Sequence, residues 1–154
     1  MNPAMAIALG ALLLSGAIRA ADSPKVEHLN SPETGALALP FSEAVRAGDT
    51  LYLSGQVGSP PGTMTLAPGG IAAETAQTLD NIKAVLERHG YRLDQVVKCT
   101  VFLADIKEWP AMNEVYRTYF PKNPPARSAV AGSGLALGAR VEIECIAVDG
   151  GQCR

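Results

Sequence analysis

Two short segments carry the residues most suited to chemistry. The first is Pro125-Ala126-Arg127-Ser128-Ala129-Val130. The second, after a Gly-rich loop, is Arg140-Val141-Glu142-Ile143-Glu144-Cys145-Ile146-Ala147-Val148. Both read as strands, and strand residues two apart share a face. Glu142 and Glu144 therefore point together, with Val141, Ile143, Cys145 and Ala147 opposite. Two carboxylates this close raise the pKa of one of them, which suits proton transfer. Arg127 on a strand is a rigid, always-charged fork for a carboxylate, and a nearby glutamate can orient a water. The same residues admit plainer roles: an ion pair from Arg127 to Glu142 or Glu144, and a solvated strand face for the two acids.

The elements that must position these groups follow from periodicity. Phe41 to Ala47 and Thr50 to Gln56 read as a β-hairpin with Gly48-Asp49 at its turn. Residues 58–70 hold three prolines and four glycines, which makes them a loop. Thr75, Leu79, Ile82 and Leu86 recur at helical spacing, and Gly90 follows as a helix stop. Val96 to Leu103 is rich in β-branched and aromatic residues and reads as a strand. Trp109 to Phe120 reads as a second helix with Pro110 in its first turn. The predicted order is β-β-α-β-α-β-β, an α+β sheet with both helices on one face. Leu, Phe, Ile and Val lie on both sides of several strands, so the other face needs a cover, and oligomerisation supplies one.

Bulk properties exclude some classes. The chain has 154 residues and a net charge of −2, with no run of Lys or Arg. Nothing in that balance points to nucleic acid or an anionic membrane. Cys99, Cys145 and Cys153 have no CxxC spacing, and His28 and His89 form no ligand pattern, so no metal site is expected. Cys99 and Cys145 alternate with apolar neighbours and read as small buried hydrophobes. Cys153, in the polar tail, is then the reactive thiol.

Ala6 to Ala17 is an apolar run of about a dozen residues, too short to span a bilayer but right for the core of an export signal. Ile18-Arg19-Ala20 offers cleavage before Ala21. The flank Met1-Asn2-Pro3-Ala4 has no Lys or Arg, so a retained apolar helix or a different start is the competing reading. The expected organisation is a signal peptide over 1–20, an extended or loop arm over 21–40, one domain over 41–150 and a tail over 151–154. Such a protein would be periplasmic or secreted, and free of the membrane once cleaved. It would be cytoplasmic if the N-terminus is no signal.

Taken in order, several segments resemble the RidA/YjgF family of reactive-intermediate deaminases. They are Leu51-Tyr52-Leu53-Ser54-Gly55-Gln56-Val57, Gln77-Thr78-Leu79-Asp80-Asn81-Ile82-Lys83-Ala84-Val85-Leu86, Val97-Lys98-Cys99-Thr100-Val101-Phe102-Leu103 and Met112-Asn113-Glu114-Val115-Tyr116. The Pro-Ala-Arg-Ser and Val-Glu-Ile-Glu segments complete the series, which runs from about Phe41 to Val148. The resemblance implies a chorismate-mutase-like fold, a homotrimer and active sites in the clefts between subunits. It also implies hydrolysis of small 2-imino or enamine acids to 2-oxo acids and ammonia, without a cofactor. Such substrates are released by pyridoxal- or flavin-dependent enzymes.

By the same resemblance, Arg127 holds the substrate carboxylate and Glu142 positions the hydrolytic water, with Glu144 as its rival. Ser54 and Asn113 fall where the family places polar residues lining the pocket. Ser54 also reads as a strand end and Asn113 as a helix cap. Tyr116 and Tyr119 read as helix packing. Backbone amides around Ala129 would steady developing charge. The chain departs from the pattern twice: Phe41 replaces a common tyrosine, and Ala129 replaces a common cysteine. A trimer that only binds small ligands or acts as a chaperone is the alternative. An endoribonuclease, also linked to the family, fits the charge less well.

Overall fold

The computed structural model describes residues 24–150. The expected signal segment and Cys153 lie outside the described residues. Ten regular elements follow the order β1 (Val26–Leu29), α1 (Pro32–Ala36), β2 (Ala44–Ala47), β3 (Thr50–Leu53), β4 (Gln56–Val57), α2 (Gly70–Arg88), β5 (Val96–Leu103), α3 (Trp109–Tyr119), β6 (Ala126–Ala131) and β7 (Val141–Val148). The expected hairpin is β2–β3, and Gly48 takes φ +58° at its turn, where only glycine is free of strain. Gly90, at φ +83°, stops the chain just after α2.

One mixed sheet has the strand order β1-β2-β3-β7-β5-β6, with β4 also paired to β7. All pairs are antiparallel except β5–β6, which α3 joins as a crossover. Both long helices cover one face. Thr75, Leu79, Ile82 and Leu86 of α2 are fully buried there against Leu51, Val101, Leu103, Val141 and Ile143. Each such aliphatic side chain contributes about 1.5–3 kcal/mol. Met112, Tyr116 and Phe120 extend the core along α3. Among the described residues the opposite face has no cover, and Tyr52, Val97 and Val130 stand about half exposed on it. The fold is the expected α+β sheet with helices on one side.

Two expectations are corrected. The arm is not simply extended. Val26–Leu29 pairs with β2, and Ser31 caps the short α1 by accepting the Thr34 N–H. Buried Glu43 ties this segment down, accepting the Ser31 N–H at 2.6 Å and pairing with Arg88. No period is visible in four strand residues and one helical turn, so the sequence pattern missed them. Cys99 and Cys145 are indeed buried, but as a disulfide rather than as separate thiols. They sit directly opposite each other on β5 and β7. At a sequence separation of 46, the link removes about 4 kcal/mol of unfolded-chain entropy in the loop-closure picture.

Candidate active site

The sheet register decides where each candidate points. Arg127 is level with Cys99 across the parallel β5–β6 pair. Residues level in a ladder share a face, so Arg127 lies on the helix side, as does Ala129 opposite Val101. Glu142 is level with Phe102, and Glu144 with Thr100, on the uncovered face. Glu142 and Glu144 point together as expected. Arg127 does not share their face, and β6 and β7 are two strand spacings apart, about 10 Å. One chain therefore does not bring the arginine and the glutamates together. Within one chain, the same geometry excludes the alternative of an ion pair from Arg127 to either acid.

On the helix side, Arg127 opens into a cleft of about 380 Å³ with Asn113, Tyr116, Arg117, Phe120 and Pro125. Its guanidinium carbon lies 4.5 Å from the Tyr116 ring centre and 5.8 Å from that of Trp109. One of its nitrogens is 4.0 Å from the Met112 sulfur. Arg46, Arg88, Arg92, Arg117 and Arg140 all pair with carboxylates; among the described arginines, Arg127 alone does not. Asn113 is the fifth residue of α3, with Glu108 at the cap position, so capping is not its role. It faces the same cleft as Arg127.

Tyr116 is the residue that sequence reasoning undervalued. It is buried, stacks on Phe120 at 4.8 Å, and its hydroxyl has no partner among the described residues. Burial pushes that hydroxyl up to about 12, with Arg127 pulling the other way, so it stays neutral. The available signal was spacing: Trp109, Met112 and Tyr116 recur at three and four, on one face of α3 beside Asn113. Tyr119, by contrast, is the packing residue expected. Its hydroxyl bridges α3 to Asp80 at 2.8 Å and to the Ala76 carbonyl.

On the uncovered face, Glu142 is half-buried. Burial first, and the neighbouring Glu144 second, hold its carboxyl above the usual range. Gly55 makes room for it: a Cβ there would overlap Oε1 and come within 2.9 Å of Cδ. Ser54, between β3 and β4, donates to the Ser42 carbonyl at 2.6 Å. Phe41, next to Ser42, is about half exposed. The candidates thus form two groups: Arg127, Asn113 and Ala129 on one side of the sheet, and Glu142 with its Gly55 neighbour on the other. Ser54 and Phe41 are tied to the strand segment that leads into Gly55. Among the described residues, no group of three or more His, Cys, Asp or Glu could hold a metal ion.

Comparison with known proteins is consistent across three measures. The family model described as Endoribonuclease L-PSP matches residues 33–149. The chain is 46% identical over 111 residues to the 2-iminobutanoate/2-iminopropanoate deaminase of Mus musculus, covering 72% of this chain and 82% of that one. Against the protein of the same name from Homo sapiens it is 43% identical over 111 residues, covering 72% and 81%. The crystal structure of the YjgF gene product from E. coli aligns with a TM-score of 0.68 at 34% identity, covering 71% of this chain and 88% of that one. Yeast Mmf1 aligns with a TM-score of 0.68 at 37% identity, covering 71% and 86%.

Proposed function

The chain belongs to the Endoribonuclease L-PSP family, the RidA/YjgF proteins, and from that membership we propose that it hydrolyses small 2-imino acids to 2-oxo acids and ammonia. The observation that carries this reading is the state of Arg127. It lies in a cleft, carries a permanent charge, and pairs with no carboxylate among the described residues. A substrate carboxylate fits that vacancy with two parallel charge-assisted bonds. The deaminase names of relatives with 43–46% identity point the same way.

The site is completed by a second copy. The half-exposed Tyr52, Val97 and Val130 give the outer face an apolar surface to bury. The edge strand β6 brings the Arg127 cleft to the rim of the sheet. A ring of three chains sets the Arg127 side of one copy against the Glu142 side of the next. Glu142 then takes a proton from water as its oxygen attacks the protonated imine carbon. Glu142 returns that proton to nitrogen in the carbinolamine and accepts the hydroxyl proton as the C–N bond breaks. A 2-oxo acid is left, and the departing ammonia takes the proton from Glu142 and leaves as ammonium. Protonated imines are already electrophilic, so no cofactor is called on. Asn113 lines the substrate side of the cleft. Ser54 and Phe41 approach from the Glu142 side.

An RNA-cleaving role has less support. A phosphate backbone needs a track of free cations, and the other described arginines are paired with acids. Export is part of the same proposal. The apolar Ala6–Ala17 run and a buried Cys99–Cys145 disulfide both suit an oxidising compartment. Intact-mass analysis of a periplasmic extract should find a chain starting at Ala21 and lighter by the two hydrogens of the disulfide. Full-length, fully reduced cytosolic protein would remove export.

The test of the function is ammonia release from freshly generated iminopropanoate, with sedimentation and circular dichroism as folding controls. Arg127→Ala should lose at least about a hundredfold, because positioning is lost together with binding. Arg127→Lys should recover little, since an ammonium lacks the planar fork. A well-folded Arg127→Ala oligomer with near-normal turnover would overturn the reading.

A further inference from the structure

An arginine that must hold a substrate faces a conflict. A long, flexible cation needs fixing, and carboxylates fix cations best. A carboxylate, however, occupies the N–H donors that the substrate requires. The other described arginines illustrate the usual outcome. Arg46 lies 5.7 Å from the Tyr91 ring centre, yet its donors are committed to Glu27 and the His89 carbonyl. Arg140 is forked onto Glu108. Arg127 is fixed differently. Trp109, Met112 and Tyr116 present two rings and a thioether from one face of α3, and Tyr116 is the nearer ring at 4.5 Å. An aromatic face attracts a guanidinium through its quadrupole and accepts none of its in-plane hydrogen bonds in doing so. Tilted packing of Tyr116 against Phe120, and burial of both, hold that ring in place.

We propose that Tyr116 is a positioning residue whose ring seats the Arg127 guanidinium and leaves its N–H donors, apart from the one aimed at the Met112 sulfur, for the substrate carboxylate. Trp109 is the weaker, exposed second wall of the seat. This rests on the function proposed for Arg127. The seat acts on ground-state binding, so its loss raises KM and leaves kcat nearly unchanged. A residue that only packed α3 would lower the unfolding temperature and leave KM alone.

The experiment compares Tyr116→Phe, Tyr116→Leu, Trp109→Leu and pentafluorophenylalanine at position 116 in the whole oligomer. Pentafluorophenylalanine keeps the ring and its packing but reverses the quadrupole, so it stays informative even if Tyr116→Leu does not fold. The readouts are KM and kcat for iminopropanoate and the calorimetric Kd of pyruvate. Tyr116→Phe should match the wild type within about twofold. Pentafluorophenylalanine and Tyr116→Leu should raise KM and Kd by about fivefold or more, and Trp109→Leu by less. A pentafluorophenylalanine protein equal to Tyr116→Phe would overturn the seat, as would a Tyr116→Phe loss as large as that of Tyr116→Leu. If the wild type neither released ammonia nor bound pyruvate, or if Arg127→Ala matched it in both, the underlying function would fall and the seat with it. Wild-type activity that Arg127→Ala abolishes, beside an unaffected pentafluorophenylalanine protein, overturns the seat alone.

Discussion

On the helix side of the sheet, Arg127 rests on aromatic faces in an open cleft, paired with no carboxylate among the described residues. On the other side, Glu142 is half-buried beside a second acid and is pressed toward its protonated form. The first arrangement suits an anion that must be gripped. The second suits a group that must take and return a proton. Neither is paired with an opposite charge among the described residues, and the sheet between them keeps the two apart within one chain. An unneutralised cation and an unneutralised acid on opposite faces of one sheet are complementary only between copies. The difference between the two faces is therefore a statement about assembly as much as about chemistry.

The most direct way to break this comparison is to damage one face in each of two chains. Arg127→Ala and Glu142→Gln proteins should each be nearly inactive alone. Refolded together in equal amounts, they should regain activity. In a randomly mixed ring, each site draws its arginine and glutamate from neighbouring chains, so about a quarter of sites are intact. Ammonia release near that fraction would place the two groups on different chains. No recovery in mixed oligomers verified by mass would mean that each site is built within one chain.

A smaller effect separates the glutamate's position from its presence. Gly55 leaves the space that the Glu142 carboxylate occupies. Gly55→Ala should push aside only the end of a flexible side chain, so folding should survive. Activity should fall by about tenfold through misplacement of the water-orienting group. Gly58 supplies the contrast, because a Cβ there would lie 2.6 Å from the Glu74 Cα of α2. Gly58→Ala should lower the unfolding temperature instead. Equal kinetics for Gly55→Ala and wild type would separate Glu142 from the chemistry.

Much of this architecture was legible in the sequence, for reasons that also explain what was not. Val96–Leu103 and the buried stripe of α2 were readable because eight and nineteen residues hold a period long enough to recognise. Gly90 was readable because one backbone conformation favours one residue. The β1 and α1 segments were too short, and they are held by Glu43, a contact twelve residues from its Ser31 partner. The Cys99–Cys145 bond needed the β5–β7 register, which no local pattern encodes. At the site, residue types and the shared face of Glu142 and Glu144 were visible. The division of Arg127 from Glu142 was not, because it depends on β6 pairing parallel to β5 while β7 runs antiparallel.

The finest test concerns Glu144, which shapes the Glu142 carboxyl without replacing it. Burial is the larger cause of the raised pKa and Glu144 the smaller, so Glu144→Gln should lower the Glu142 pKa but leave it above the ordinary range. If Glu142 is the base, kcat/KM falls on the acid side as that carboxyl is protonated. The acid limb of the profile should therefore move to lower pH in Glu144→Gln, with the neutral-pH plateau little changed. Stability must change in a linked direction. The folded protein binds this proton more tightly than the unfolded chain. That contribution is complete below the ordinary carboxylate range and is lost as pH rises through the raised value. Ionised Glu142 thus carries a cost at neutral pH, and Glu144→Gln should relieve part of it as a slightly higher unfolding temperature. An acid limb that stays in place, with the unfolding temperature still raised, would detach the proton-transfer role from Glu142 and leave it a merely buried acid.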